Sequence, residues 1–236
     1  MKSGLGYFYR QSVNTLLRTR WIGPYLLIPP LLAFVVYAES YLSANGITGA
    51  FNSQQRAALA IWNGSLIIAL IAGIKSCLFF SRLWGAEWFL NSLSLPVRRS
   101  CGFWGPFMAV LTVATGVFAL TTSAVIAALP DQGAISIAAT VADAWLTIFW
   151  AVSMCAFLGV LTSGGAGALF FSALLIVGLI SQITMLQLPG WVYYLLPPAG
   201  KFRYPAGIES DLILAAHALV FLALARLLYE LGTKRR

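Results

Sequence analysis

AALAIWNGSLIIALIAGIKSCLFF, residues Ala57–Phe80, carries one charged side chain, Lys75, in twenty-four residues. A helix that crosses a bilayer needs about 20 mostly apolar residues. This run has that length and contains no proline to break it. Five other stretches read the same way: Trp21–Leu42, Gly105–Leu129, Ile135–Leu161, Ala166–Leu188 and Leu212–Leu231. The third and fourth of the six are long enough to tilt. Across all 236 residues 60% are hydrophobic and only 9% charged, and the mean hydropathy is +0.84. A soluble core cannot hide that much apolar surface, so lipid must solvate part of it. The expected fold is an all-α integral membrane protein with six transmembrane helices and no room for a second soluble domain.

The net charge of +8 follows from where the basic residues fall. With the N-terminus in the cytoplasm, that side carries Lys2, Arg10, Arg18, Arg20, Lys75, Arg82, Arg98, Arg99, Arg226, Lys234, Arg235 and Arg236. The outer side carries Arg56, Lys201 and Arg203. Twelve against three accounts for all fifteen basic residues. The asymmetry matches the positive-inside rule and an even number of spans, with both termini cytoplasmic in the cytoplasmic membrane. Because these residues flank apolar runs, the partner they indicate is membrane lipid, and no nucleic acid is expected.

The first twenty residues read as an interfacial amphipathic helix. Leu5, Phe8, Tyr9, Val13 and Leu16 fall on one side, and Arg10, Gln11, Asn14 and Arg18 on the other. The following run carries Pro24, Pro29 and Pro30 and is expected to be retained rather than cleaved as a signal peptide. Outside, LPDQG (Leu129–Gly133) reads as a tight turn. Residues 187–211 contain LPGWVYYLLPPAGKFRYP, too apolar for a solvated loop and too broken by proline for a span. That segment is expected to lie in the outer interface or re-enter the bilayer, with Trp191, Tyr193 and Tyr194 in an aromatic belt. The turn LTSGGAG, Leu161–Gly167, has no strand before it, so a hinge or close helix packing is expected and not a phosphate cradle.

Chemistry-bearing residues are few. The three cysteines, Cys77, Cys101 and Cys155, have no metal or redox spacing and read as reduced, packed residues. One histidine excludes a multi-histidine metal site. Asp143 and His217 stand inside apolar runs, where an ionisable group costs about 2.5–3.5 kcal/mol at the helix centre. Both are candidates for a translocation path, with Trp191, or for structural roles. Lys75 lies near the inner end of its run and is expected to snorkel. A membrane-embedded protease pairing Ser163 with His217 is disfavoured, because the two fall at different depths.

The most distinctive segment is FFSRLWGAEWFLNSLSLPVRRSCGFW, Phe79–Trp104, between the second and third spans. Leu83, Trp84, Trp88 and Leu95 can rest on membrane or helices, while Arg82, Glu87, Asn91, Arg98 and Arg99 stay polar. Pro96 stops a helix and disfavours helical geometry at Leu95. A short helix over about Leu83–Leu93 is expected, ending in a sharp turn.

This segment resembles the cytoplasmic loop of ABC type-2 exporter permeases. There, a glycine and an acidic residue precede a run like L-L-S-L-P-V-S-R. The matching residues here are Leu93, Ser94, Leu95, Pro96, Val97 and Arg99. Gly85 and Glu87 stand farther from the proline than in that pattern. The amphipathic start, the six spans and the broken outer segment before the last span are also similar to that family.

The resemblance implies a permease domain over 21–236 that pairs as a homodimer or with a second permease. Two copies of a separate ABC ATPase would bind beneath it, holding the ATP and Mg. Residues 81–104 would be the coupling loop, with Arg82, Glu87, Leu93, Leu95, Pro96, Arg98 and Arg99 at the ATPase. The chain has no G-x-x-x-x-G-K-[ST] loop of its own and is expected to be neither an enzyme nor a cofactor carrier. The alternative is an ATPase-independent channel, secondary transporter or assembly factor.

Overall fold

A computed structural model describes residues 4–18, 22–44, 53–83, 100–128, 137–162, 164–183 and 208–234. These form seven helices: α1 Gly4–Arg18, α2 Ile22–Ala44, α3 Ser53–Leu83, α4 Ser100–Ala127, α5 Ile137–Leu161, α6 Gly164–Ile183 and α7 Ile208–Lys234. No strand occurs among the described residues. The described part of each of the six apolar runs falls in one helix, apart from the turn at Ala128. α3 overshoots its run at both ends, taking in polar Ser53–Arg56 and then Ser81, Arg82 and Leu83.

The helices alternate in direction, as inter-helix contacts show. Arg56 of α3 donates to the Glu39 carbonyl at the far end of α2 (3.2 Å), while Tyr25 near the start of α2 meets Lys75 near the end of α3. Phe80 of α3 meets Phe103 at the start of α4 at 5.5 Å. Trp145 Nε1 of α5 donates to Thr115 Oγ1 of α4 at 3.1 Å. α5 and α7 run parallel, joined by Phe157 and Phe221 at 5.7 Å. One end of the bundle therefore gathers α1, the end of α3, the start of α4, the α5–α6 turn and the end of α7. Arg10, Arg18, Lys75, Arg82 and Arg226 all lie toward this basic end, whereas Arg56 lies at the other.

α3 and α5 form the most extensive pair, and the other helices are arranged around them. α7 packs on α5, α6 on α3, and α4 on α3, α2 and α1. The α3–α5 approach is close because Gly159 has no side chain. A β-carbon there would stand 2.6 Å from the Cys77 carbonyl, a backbone atom that cannot step aside. Across the same seam Ser76 Oγ donates to the Val152 carbonyl at 3.1 Å, satisfying a hydroxyl that is fully buried.

The outer helices show one stripe inward and one outward. In α2, Tyr25, Ile28, Leu32 and Val36 are buried, at helical spacing, while Leu26, Leu27, Leu31 and Phe34 are exposed. In α7, Leu214, Ala218, Leu222, Ala225 and Tyr229 are buried, and Leu212, Leu219, Val220, Leu224 and Leu227 face outward. Such faces are apolar on both sides of the helix, which suits lipid and not water. α3, α4, α5 and α7 are long and apolar enough to cross a membrane. The described apolar parts of α2 and α6, Tyr25–Glu39 and Gly164–Ile176, are shorter. The protein is an all-helical, multi-pass membrane protein.

Two expectations change. The apolar stripe of α1 faces protein: Phe8, Ser12 and Leu16 are buried, and α1 packs on α4. Gly105 of α4 is the seat, since a β-carbon there would lie 2.8 Å from the Tyr9 nitrogen and closer still to Phe8 Cβ. Leu5, expected on the covered side, is exposed because it falls one turn before the contact begins. Lys75 does not snorkel. Its side chain is buried, with Nζ 5.0 Å from the centroid of the Tyr25 ring.

Candidate functional site

The basic end is where helix termini converge. Phe103, one turn into α4, touches Phe80 of α3 at 5.5 Å and Tyr229 of α7 at 5.6 Å, and stacks on Phe107 at 6.1 Å. Trp104 meets Phe103 and Phe107 edge-on, at 5.4 and 5.9 Å. Phe80, Phe103, Phe107 and Tyr229 are all buried. Aromatic pairs in such geometry contribute about 0.5–1.5 kcal/mol each beyond area burial. The cluster thus binds three helix ends into one unit. The end of α3 and the start of α4, which flank residues 84–99 in the chain, both belong to it.

Of the residues expected at the ATPase, Arg82 is exposed in the last turn of α3. Glu87, Leu93, Leu95, Pro96, Arg98 and Arg99 lie outside the described residues, as does Trp191. The ends of the two segments singled out in the sequence are helical: 81–83 finish α3, 100–104 open α4, and 208–211 open α7.

Asp143 and His217 are not brought together. Asp143 is half-buried in the second turn of α5, where its carbonyl accepts from Thr147 Oγ1 at 3.0 Å. His217 is half-buried one turn before Phe221, whose ring it meets edge-on at 6.2 Å. Its Nδ1 has no hydrogen-bond partner. The Phe157–Phe221 contact sets His217 beside the second half of α5, about 15 Å along the axis from Asp143. Two separate polar points on one apolar bundle do not make a relay. The LTSGGAG turn serves packing, as expected: it returns α6 along α3, with Gly164 against Ser81.

The residue the sequence reading undervalued is Lys75. Its amine is buried and has no hydrogen-bond partner among the described residues, and it lies over the face of Tyr25. A cation over a ring gains about 2 kcal/mol or more when desolvated, which does not replace three hydrogen bonds to water. Pro29 and Pro30 lie inside α2 and lack N–H groups, so the carbonyls one turn earlier, at Tyr25 and Leu26, lose their usual donors. The basic end of the α2–α3 seam is therefore polar within an apolar bundle. The signal available in the sequence was a lone lysine one turn before the end of an apolar run.

Among the described residues no group of three or more His, Cys, Asp and Glu side chains gathers as a metal site would. No family model matches the chain, and a search of curated proteins finds no match.

Proposed function

We propose that this chain is the membrane-spanning permease half of an ATP-driven exporter. Six spans, α2–α7, would cross the cytoplasmic membrane with both termini in the cytoplasm. The protein would work as a dimer, with itself or with a second permease, over two copies of a separate ATPase that bind the ATP and Mg. The observation that carries this reading is the clamping of the two helix ends that flank residues 84–99. The segment joins two long helices whose ends are already clamped by Phe80, Phe103 and Tyr229.

A coupling element must pass displacement into the membrane without absorbing it. A connector tied at both roots to one aromatic cluster meets that need, because pushing it moves α3, α4 and α7 together. Leu93 and Leu95 would be the buried anchors in the ATPase groove, with Arg98 and Arg99 in charged contacts at the rim. Pro96 would hold the turn rigid. α1, seated on α4, would follow the same motion. A secondary transporter has no need of such an anchored connector, which ranks the exporter reading above that alternative.

The test is purification in mild detergent from the native membrane, with mass spectrometry of co-purifying proteins. A stoichiometric soluble ATPase is expected, and crosslinks from residues 84–99 should reach it. Disruptive changes at Pro96 or Arg99 should leave the protein in the membrane and abolish stimulation of that ATPase. If no ATPase accompanies the chain after crosslinking, the exporter reading fails and an ATPase-independent transporter or channel takes its place.

A further inference from the structure

A groove of about 390 Å³ runs along the outside of the bundle between the start of α4 and the second half of α7. Its wall changes character along its length. Leu219, Leu222 and Ala223 line one part, and Trp104, Arg226 and Glu230 line the part toward the basic end. From Leu219 to Arg226 is two turns of α7, about 10 Å of apolar wall. A lipid of the leaflet at that end has the same polarity in the same direction, with acyl chains deep and phosphate near the surface.

The polar end is organised around Arg226. Its Nε donates to Glu230 Oε1 at 2.9 Å, and its guanidinium lies 6.0 Å from the centroid of the Trp104 ring. Trp104 is itself fixed by Phe103 and Phe107. The pair adds little to stability. It is a half-exposed i,i+4 pair, it runs in the less favourable order with the cation first, and it puts a carboxylate near a helix C-terminus. What the pair does is orient the guanidinium. With Nε taken by Glu230 and one face near Trp104, the two terminal nitrogens have no partner among the described residues. They belong to the polar end of a groove whose deeper part, along Leu219, Leu222 and Ala223, is apolar.

We infer that the α4–α7 groove binds one phospholipid of the adjoining leaflet, with its phosphate on the terminal nitrogens of Arg226 and an acyl chain along Leu219, Leu222 and Ala223. Charge complementarity selects this occupant. A phosphate accepts two parallel N–H bonds from a guanidinium edge, and among the described lining residues the one acceptor side chain, Glu230, is engaged at Nε. The basic residues around this end raise the local concentration of anionic lipid. The site needs only the membrane, and it stands or falls independently of the exporter reading.

The test compares full-length wild type with Arg226→Ala, Arg226→Lys and Ala223→Trp in mild detergent. Each is assayed for bound lipid by native mass spectrometry and for its thermal midpoint. The added probes are phosphatidylglycerol, diacylglycerol and glycerol 3-phosphate. Wild type should retain one phospholipid and gain several degrees with phosphatidylglycerol alone. Arg226→Ala should weaken binding by about tenfold or more, the scale of a lost charge-assisted hydrogen bond. Arg226→Lys should recover part of it, since it keeps the charge and loses the fork. Ala223→Trp should lose the lipid with the guanidinium intact, by filling the groove.

Equal retention by all four proteins overturns the site. Equal stabilisation by glycerol 3-phosphate replaces it with a soluble-anion site. Disulfide capture between two copies through Leu227→Cys, with no lipid retained, assigns the groove to a second copy instead.

Discussion

Lys75 shows how little a residue type says about its surroundings. A lysine one turn from the end of an apolar run has the same sequence whether it bends toward water or turns inward. The choice depends on the rotation of α3 relative to α2, which packing sets. The four-carbon stem could reach the interface, yet Nζ lies over Tyr25 and is buried. Lys75→Met keeps the length and removes the unmet amine. It is expected to raise stability in detergent by about 1–3 kcal/mol, the usual penalty for a buried unsatisfied group. A fall in the thermal midpoint would show instead that the amine holds a bound anion. Phe103 is the opposite case. Its identity was in plain view, but its role as the contact of three helix ends is a property of the fold. Phe103→Ala is expected to cost about 3–5 kcal/mol, read by thermal denaturation in detergent. If the connector 84–99 couples to an ATPase, the same change should also reduce stimulated hydrolysis in protein that remains folded.

At the scale of elements, all seven described helices were legible, because periods and apolar lengths are local signals. α1 is the clearest. Phe8, Ser12 and Leu16 recur every fourth residue, and Arg10, Asn14 and Arg18 occupy the other side. Periodicity reports that a helix has a face to cover and is silent about what covers it. The face was assigned to lipid, and α4 takes it. The cue was Gly105, recognisable only once the two helices are side by side. Gly105→Val should therefore unseat α1, through a clash with the backbone at Tyr9 that no rotamer change relieves. Protease cleavage within residues 4–18 of the detergent-solubilised protein should rise sharply, while cleavage elsewhere stays as in wild type. The segments 84–99 and 187–207 carry most of the site residues named from sequence, and the short helix expected over about Leu83–Leu93 lies, Leu83 apart, outside the described residues.

The whole molecule is a bundle whose described basic side chains collect at one end, Arg56 excepted, a pattern the sequence carried because positive charge is distributed unequally between the two sides of a membrane. Reporter fusions at both termini should accordingly report the cytoplasm, and reversing the charges of Arg98 and Arg99 should weaken that preference. Less legible was the ranking of helices. α3 and α5 are alike in hydropathy to α4 and α7, yet they form the central pair because Gly159 admits the α3 backbone. That seam also has a place in time. Ser76 finds its acceptor at Val152, seventy-six residues later in the chain. At about 5–20 residues per second, α3 waits roughly 4–15 s before α5 has been made. During that interval the face of α3 that carries Ser76 has lipid or an insertion factor for company and not its final neighbour. Cys77, fully buried in the finished protein, then offers a clock. Nascent chains arrested before residue 137 should react at Cys77 with a membrane-permeant maleimide, and chains released at full length should not.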